Sequence, residues 1–223
     1  MQKTFLALAI VAIWSTTARS EAWSLGIATG PFIFGHFLQR TVTINNETGS
    51  ATTTSRLSAA TRAGAAVDVE RQLNDWLAVR LEGTWTRAPL RIKSKSGDQG
   101  VTIDAGRLNV TTFVVPLVVQ FNRKGALRFQ VMGGPAYALY DVHRRAGGGT
   151  TFALFEGTRA RWGGAGAVGA ALWWNRRFAV EWQAQEIITT SPFRVSDVAS
   201  SPQGIRIPKP HNGHTTIGIR YRF

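Results

Sequence analysis

The sequence predicts an all-β protein, an eight-stranded antiparallel up-and-down transmembrane β-barrel, and three observations support this fold class. Apolar and polar residues alternate with a period of two in run after run along the chain. The segments between these runs are alternately short and long. The last nine residues, 215–223, alternate in the same way and end on an aromatic side chain. These features are typical of a barrel with tight turns at one end and longer loops at the other.

Eight strands are expected from the alternating runs, separated by three short turns and four long loops. Most of the runs exceed the usual length of strands in soluble sheets and suit tilted membrane-spanning strands. The predicted strands cover about 23–37, 57–73, 76–87, 107–121, 126–142, 158–174, 178–190 and 214–223. The short turns are predicted at 74–75, 122–125 and 175–177, and the long loops at Leu38 to Arg56, Ala88 to Gly106, His143 to Gly157 and Ser191 to Asn212.

The beginning of the chain predicts export. A positively charged start, an apolar run over 4–14 and a small-residue exit are the three zones of a secretory signal peptide. We expect residues 1–20 to be the signal peptide and 21–223 to be one barrel domain. A cut after Ala22 fits almost as well, and an uncleaved anchor is the remaining alternative.

Composition narrows the possible partners. The 223 residues include no cysteine, so no disulfide contributes to stability, and no later run is long enough for a membrane-spanning helix. The formal net charge is +13, but the basic residues are spread along the chain without a nucleic-acid motif. We therefore expect no nucleic acid, and predict outer-membrane lipids and lipopolysaccharide as the anionic partners.

Alternation also separates an apolar face from a charged face. In the third predicted strand, Leu81 and Trp85 share one face, whereas Arg80 and Glu82 share the other. A lumen of eight strands is just wide enough for side chains, so inward charges are expected to form ion pairs that close it. We predict that Glu82 and Glu181 each contact at least one arginine. The full predicted lumen network is Arg62, Asp68, Glu70, Arg80, Glu82, Arg128, Arg161, Glu181, Arg220 and Arg222.

Aromatic residues concentrate near the predicted strand ends. Membrane-interface girdles have this distribution, because an amphipathic ring is stable at the depth of the headgroups. The residues that predict a girdle are Trp23, Trp76, Trp85, Tyr140, Trp162, Trp173, Trp174, Phe178 and Tyr221.

These features resemble small eight-stranded outer-membrane β-barrel proteins of Gram-negative bacteria, of the OmpX and OmpA type. The segment Phe113–Phe121, with Pro116-Leu117 at its centre, precedes a Gly134-Pro135 strand, and this pair is similar to the PorT-like branch. The resemblance implies an outer-membrane location and a monomer. It also implies that the barrel-assembly machinery recognises the C-terminal strand through Phe223, Tyr221, Ile219 and Ile217. Pro116 and Pro135 each remove a ladder donor and predict a bulge or a break in pairing.

No catalytic, cofactor-binding or metal-binding residues are predicted. His211 and His214 are three apart, which in extended chain places them on opposite faces, and we expect the pair to lie in a surface loop. Lipid A-modifying barrels use a His-x-Ser pair near a carboxylate, and 183–188 contains neither residue. The predicted function is a non-enzymatic barrel with a charge-filled, largely closed lumen and external loops for surface interaction or envelope integrity. The alternatives are a soluble exported lipocalin-like ligand-binding barrel and, less favoured, a lipid A-modifying enzyme.

Overall fold

The computed structural model describes residues 23–46, 49–122, 125–145, 155–197 and 204–223. Within these ranges, twelve strands form one sheet in which every pairing is antiparallel. The strands are β1 Trp23–Phe34, β2 His36–Asn46, β3 Gly49–Ala59, β4 Arg62–Gln72, β5 Leu77–Ser96, β6 Gln99–Val114, β7 Leu117–Phe121, β8 Leu127–Arg144, β9 Gly157–Trp173, β10 Phe178–Thr189, β11 Ile205–Arg206 and β12 His211–Arg222. Among the described residues, no helix is long and apolar enough to cross a membrane.

The sheet closes into an eight-stranded up-and-down barrel. Three walls are strands with one interruption each, formed by β1 with β2, β3 with β4, and β6 with β7. The barrel closes where β1 pairs with β12, with Leu25 opposite Tyr221 and Ile27 opposite Ile219. Closure pairs the first and last strands and so joins the two ends of the sheet into a ring, whereas near the mouth β2 beyond Thr41 and β9 before Gly163 pair on one side only. The predicted fold class is confirmed.

Asparagine forms the tight turns at one end of the barrel. The Asn74 Oδ1 atom accepts hydrogen bonds from the backbone amides of Trp76 (3.0 Å) and Leu77 (2.9 Å). Asn175 does the same for the amides of Arg177 and Phe178. Asn122 adopts a positive φ of 55°, which asparagine tolerates better than most residues. We call this end the turn end and the opposite end the mouth.

The first two predicted loops are wrong, because their residues continue the walls. Residues 38–56 belong mostly to β2 and β3, and residues 88–106 mostly to β5 and β6, which turn at Gly97 with a φ of 55°. The third and fourth predicted loops lie partly outside the described residues. Inward apolar side chains, Leu57 and Ile92 among them, keep the period of two in these extensions, while the outward positions become polar.

The outward face carries an apolar belt bounded by aromatic rings. On β5 the belt runs from Leu77 to Trp85, the length expected of a tilted membrane-crossing strand. Phe113, Tyr137 and Trp162 are aligned across β6, β8 and β9 on the mouth side, with the Tyr137 and Trp162 rings 4.8 Å apart. Exposed rings border the belt on the turn side: Trp76, Phe121, Trp174, Phe178 and Phe223. Tyr140 and Trp173 are buried inside the barrel, so their predicted place in the girdle is wrong.

Pro116 produces the predicted break in pairing. Val115 and Pro116 separate β6 from β7, and β8 pairs with β7 up to Gly133 and with β6 from Ala136 onward. Pro135 lies opposite this break, where its carbonyl accepts a hydrogen bond from the Val115 amide (3.1 Å). β8 itself continues through Pro135, since its other edge pairs with β9 without a register shift.

Candidate functional site

The half of the lumen nearer the turn end is filled by an ion network around Arg80. This side chain is 1% exposed and points inward from β5. Its Nε and Nη2 atoms donate to Glu70 Oε2 (3.0 and 2.6 Å), and Nη1 donates to Glu181 Oε1 (2.8 Å). Nη1 and Nη2 also donate to the amide oxygens of Gln183 and Gln130, both at 2.9 Å. Arg80 thereby connects β4, β5, β8 and β10 across the lumen.

Arg220, which points inward from β12, is the second centre of the network. Its Nη2 atom donates to Asp68 Oδ1 (2.6 Å), Nη1 donates to Ser24 Oγ (3.0 Å), and Nε donates to Glu181 Oε2. Glu181 therefore lies between the two arginines and contacts both. Hydrogen bonds of this charge-assisted kind are stronger than neutral ones and orient both partners.

Glu82 departs from the predicted pattern. Gln183 donates to its Oε2 atom at 3.0 Å, and His214 Nε2 lies 3.7 Å from its Oε1 atom. The ion pairs found among the described residues include none between Glu82 and an arginine, so the prediction that Glu82 contacts one is wrong. On β4, Asp68 and Glu70 lie opposite Glu82 and Arg80. Arg80 contacts Glu70 and Glu181, whereas Glu82 accepts a hydrogen bond from the Gln183 amide and lies near the His214 ring.

Four other arginines of the predicted network lie apart from it. Arg62 is exposed near the mouth end of β4. Arg161 donates from Nε to the Ser191 carbonyl at 2.8 Å, because the chain after β10 folds back over β9. Arg128 and Arg222 both lie over the Trp173 ring near the turn end, with guanidinium carbons 4.7 and 4.2 Å from its centroid.

A missing side chain at Gly26 makes room for the network. Gly26 lies opposite both Asp68 and Arg220 on the neighbouring strands. A Cβ atom built there would be 2.2 Å from Asp68 Oδ2 and 3.1 Å from Arg220 Nη2. The carboxylate and guanidinium thus occupy space that any other residue at this position would need.

We expect Gly26→Ala to lower the free energy of unfolding by about 1–3 kcal/mol, because the added methyl group displaces the Asp68 carboxylate. Gly166→Ala is the matched control, since a Cβ atom there meets nothing within 4 Å. Urea titrations of both variants in detergent micelles, followed by tryptophan fluorescence, test this. Equal midpoints for the two variants would contradict the packing argument.

The half of the lumen nearer the mouth holds an apolar core that sequence reasoning missed. Phe37 is fully buried, with ring centroids 5.7 Å from Phe193 and 6.1 Å from Tyr140. The Tyr140 hydroxyl lies 2.7 Å from Thr189 Oγ1, and burial raises the pKa of this phenol. Other members are Phe32, Phe34, Leu38, Leu57, Leu90, Ile92, Leu108 and Val142. The sequence signal for this core is the period of two at inward positions, seen at Leu57 and Ala59 and again at Leu90 and Ile92.

The segment after β10 fills the mouth. Phe193 is 2% exposed and inserts into the apolar core. Ser191 Oγ donates to the Phe37 carbonyl (3.1 Å), and Arg159 Nη1 donates to the Pro192 carbonyl (2.9 Å). Further along the chain, β11 pairs with β2 and lengthens the rim. The lumen is therefore filled at two levels, by the charged side chains of the ion network nearer the turn end and by aromatic rings nearer the mouth.

The histidines occupy separate environments. His211 faces outward, with Nδ1 2.6 Å from Glu186 Oε1, whereas His214 faces inward and stacks on Phe32. Their placement on opposite faces is as predicted from their spacing, but the expected surface-loop position is wrong, because both residues belong to β12 and His214 is buried in the lumen. The described residues contain no group of three or more acidic or histidine side chains that could hold a metal ion.

The four residues of the expected assembly signal share the outward face of β12. Ile217, Ile219 and Phe223 are more than half exposed. The Tyr221 ring lies between those of Phe178 (4.9 Å) and Phe223 (5.5 Å). This face continues the apolar belt, and its recognition by assembly machinery stays a prediction.

Neither a protein-family model nor a curated protein sequence matches the chain. Solved structures do match. The outer membrane protein OprG from Pseudomonas aeruginosa is 12% identical with a TM-score of 0.53, over 91% of this chain and 97% of that chain. The outer membrane protein AlkL, solved in lipid bilayers, is 14% identical with a TM-score of 0.51, over 94% and 93%. The outer membrane protease OmpT from Escherichia coli is 11% identical with a TM-score of 0.51, over 94% and 99%.

Identities this low establish the fold and nothing about activity. The chain has the fold of outer-membrane β-barrel proteins. The fold alone does not separate a protease from a non-enzymatic barrel.

Proposed function

We propose that the chain is a monomeric, non-enzymatic, integral outer-membrane protein of a Gram-negative bacterium, with a closed lumen and a surface that interacts with the cell envelope. One observation carries this proposal: a continuous apolar belt surrounds a barrel whose interior holds the buried charges. Leu81 and Trp85 face outward on β5, and Arg80 and Glu82 face inward. Burying ions inside and exposing aliphatic side chains outside is stable where the outside is lipid.

The orientation of the faces disfavours the lipocalin-like alternative. A soluble ligand-binding barrel needs an apolar interior with space for a ligand and a polar exterior. Here the apolar part of the interior is filled by the protein's own rings, those of Phe37, Tyr140 and Phe193. The exterior exposes Ile27, Leu81 and Trp162 at more than half of their surface.

The lumen contents support a closed barrel and not a diffusion pore. The ion network closes the bore near the turn end, and the Phe193 segment closes it at the mouth. Because the lumen is filled at both levels, nothing can pass through it, and the function is expected to lie on the outer surface. A lipid A-modifying activity is the less favoured alternative, since β10 contains neither the histidine nor the serine of the pair that such enzymes use.

The remaining parts of the proposal come from the sequence. Removal of residues 1–20 by signal peptidase would deliver the barrel to the periplasm. The turn end would then face the periplasm and the mouth the exterior, as in other outer-membrane barrels. We propose that the barrel-assembly machinery recognises the outward residues of β12, and that the chain belongs to the PorT-like branch of these barrels.

Deletion of Phe223 is expected to reduce membrane assembly strongly, by about tenfold in the recovered folded protein, because it removes the last ring of the belt. Fractionation with heat-modifiable migration on a detergent gel measures this. The control is Phe178→Ala, which removes an outward-facing ring on another strand. It measures the effect of losing apolar belt area without changing the C-terminus. Recovery of the wild type in the soluble periplasmic fraction would overturn the outer-membrane assignment. Equal assembly of the Phe223 deletion and the wild type would overturn only the assembly signal.

A further inference from the structure

The strand extensions above the apolar belt present a basic surface on one side of the barrel. Seven exposed cationic side chains occupy outward positions of β3, β5, β6 and β11, and we call this surface the basic face. Its members are Arg56, Arg87, Arg91, Lys93, Lys95, Arg107 and Arg206. Arg87 is two residues beyond Trp85, so the basic face begins where the belt ends.

The register aligns these charges in a row. Arg206 lies opposite Gln39, Gln39 opposite Arg56, Arg56 opposite Lys93, and Lys93 opposite Thr102. Like charges directly opposite each other on neighbouring strands are destabilising. Arg56 and Lys93 form such a pair, and no ion pair found among the described residues includes either of them. An external anion would relieve this repulsion.

A groove of about 660 Å³ runs along this pair and offers hydrogen-bond donors. Its walls carry Arg56, Lys93 and Lys95 together with the hydroxyl groups of Thr52, Thr54 and Thr102. His36 also lines the groove, and partial burial, followed by the charges of Arg56 and Lys93, lowers the pKa of its ring. Cations and hydroxyl groups without a carboxylate form a site suited to phosphate oxygens.

The other walls carry outward acidic side chains. Asp141 on β8 lies beyond the belt with His143 beside it, and Glu186 on β10 lies at the mouth edge of the belt with His211 beside it. Within the basic face, Asp104 is paired with Arg145 at 2.8 Å, and Asp98 lies at the Gly97 turn. The positive charge is therefore localised to one side of the barrel. A general attraction to anionic headgroups would not require this localisation, whereas a specific binding site would.

We propose that the basic face binds the phosphate groups of the outer-leaflet glycolipid, lipopolysaccharide, with its acyl chains lying against the apolar belt below. This inference rests on the proposed outer-membrane location and specifies the surface through which the barrel contacts the envelope. The adjacency of Arg87 to Trp85 favours a lipid over a soluble anion, since an occupant can contact cations and belt together. The phosphates on its inner-core sugars would occupy the groove between Arg56, Lys93 and Lys95, because Lys93 is eight residues of strand, about 26 Å, beyond Trp85, further than the phosphates of lipid A reach from the acyl chains.

The test uses the purified barrel in neutral detergent micelles, titrated with a lipopolysaccharide that carries lipid A and a phosphorylated inner core. Binding is followed by the ring signals of His36, assigned by His36→Gln. Binding of phosphate beside Arg56 and Lys93 should raise the pKa of His36, because an anion offsets the two charges. Arg56→Gln with Lys93→Gln should weaken binding of this lipopolysaccharide about 25-fold, at roughly fivefold per cation near a membrane surface. Arg176→Gln with Arg177→Gln, at the turn end, removes the same charge and should leave binding unchanged.

Several results would overturn the proposal. An equal loss of affinity in both double variants would show that the net charge of the protein, and not the basic face, determines binding of the glycolipid. An equal response to inorganic phosphate, or to the same lipopolysaccharide with a dephosphorylated inner core, would exclude the phosphorylated glycolipid as the ligand. Tighter binding of a sulfated polysaccharide would exclude it as well. Heat-modifiable migration checks that each variant is folded. Failure of the wild type to fractionate with the outer membrane would overturn the proposed function separately, without altering the measured affinities.

Discussion

Replacing Arg80 with methionine is expected to lower the free energy of unfolding by about 3–5 kcal/mol. The guanidinium donates to Glu70, Glu181, Gln130 and Gln183, all of them buried. Methionine fills much of the same volume and supplies no donors. The variant would leave the carboxylates of Glu70 and Glu181 close together, with Arg220 as their remaining guanidinium.

Urea titration in detergent micelles, with tryptophan fluorescence and the heat-modifiable gel shift as two probes, measures this change where folding is reversible. Arg62→Met is the matched control, because Arg62 is exposed and outside the network. Surface substitutions of that kind usually change stability by less than about 0.5 kcal/mol. If the two variants unfolded at the same urea concentration, the network would be irrelevant to stability.

The inward position of Arg80 could be predicted from the sequence, but its partners could not. Alternation separates the faces of a strand, and this was enough to place Arg80, Glu181 and Arg220 inside. Contacts across the lumen depend on the tilt and stagger of all eight strands. Arg80 and Glu181 are 101 residues apart and meet through the lumen, not through a ladder. No local pattern contains that information, which explains why the partner predicted for Glu82 was wrong.

The strand extensions were predicted as loops for a physical reason. Beyond the belt the outward positions face water and become polar, as at Arg91, Lys93 and Lys95, so the contrast with lipid is lost. Pro89, Gly97 and Gly100 are typical of loops and reinforce that interpretation. The inward face alone retains the pattern, at Leu90 and Ile92. A strand of which only one side is patterned is easily taken for a loop.

The two levels of the lumen stabilise the barrel by different means. The ion network contributes orientation, because each hydrogen bond requires a defined strand register, but buried ions are costly to desolvate. The apolar core near the mouth contributes burial without that desolvation. The apolar core lies beyond the belt, where the surroundings of the barrel are water, so burying apolar side chains there is stabilising. At the level of the belt the surroundings are lipid, which is already apolar, so burial would gain less.

Replacing Phe37 with alanine is therefore expected to lower the free energy of unfolding by about 3–5 kcal/mol. Phe37 is fully buried and contacts the rings of Phe34, Tyr140 and Phe193. Its removal leaves a cavity beneath the segment held by Ser191, so the amides of 191–197 should also exchange hydrogen faster. Urea titration and hydrogen exchange measure the two effects.

The control is Phe129→Ala, whose ring faces outward in the belt and is about half exposed (49%). Removing that ring opens no cavity inside the lumen, so a smaller change in stability and unchanged exchange at 191–197 are expected. The Phe37 variant should conduct no more ions across a planar bilayer than the wild type, because the network of Arg80 and Arg220 still closes the bore. A conductance increase caused by Phe37→Ala alone would show that the ring core, and not the ion network, is the barrier. Arg80→Met should stay closed as well, because the ring core remains in that variant, and a conductance increase there would make the ion network the barrier.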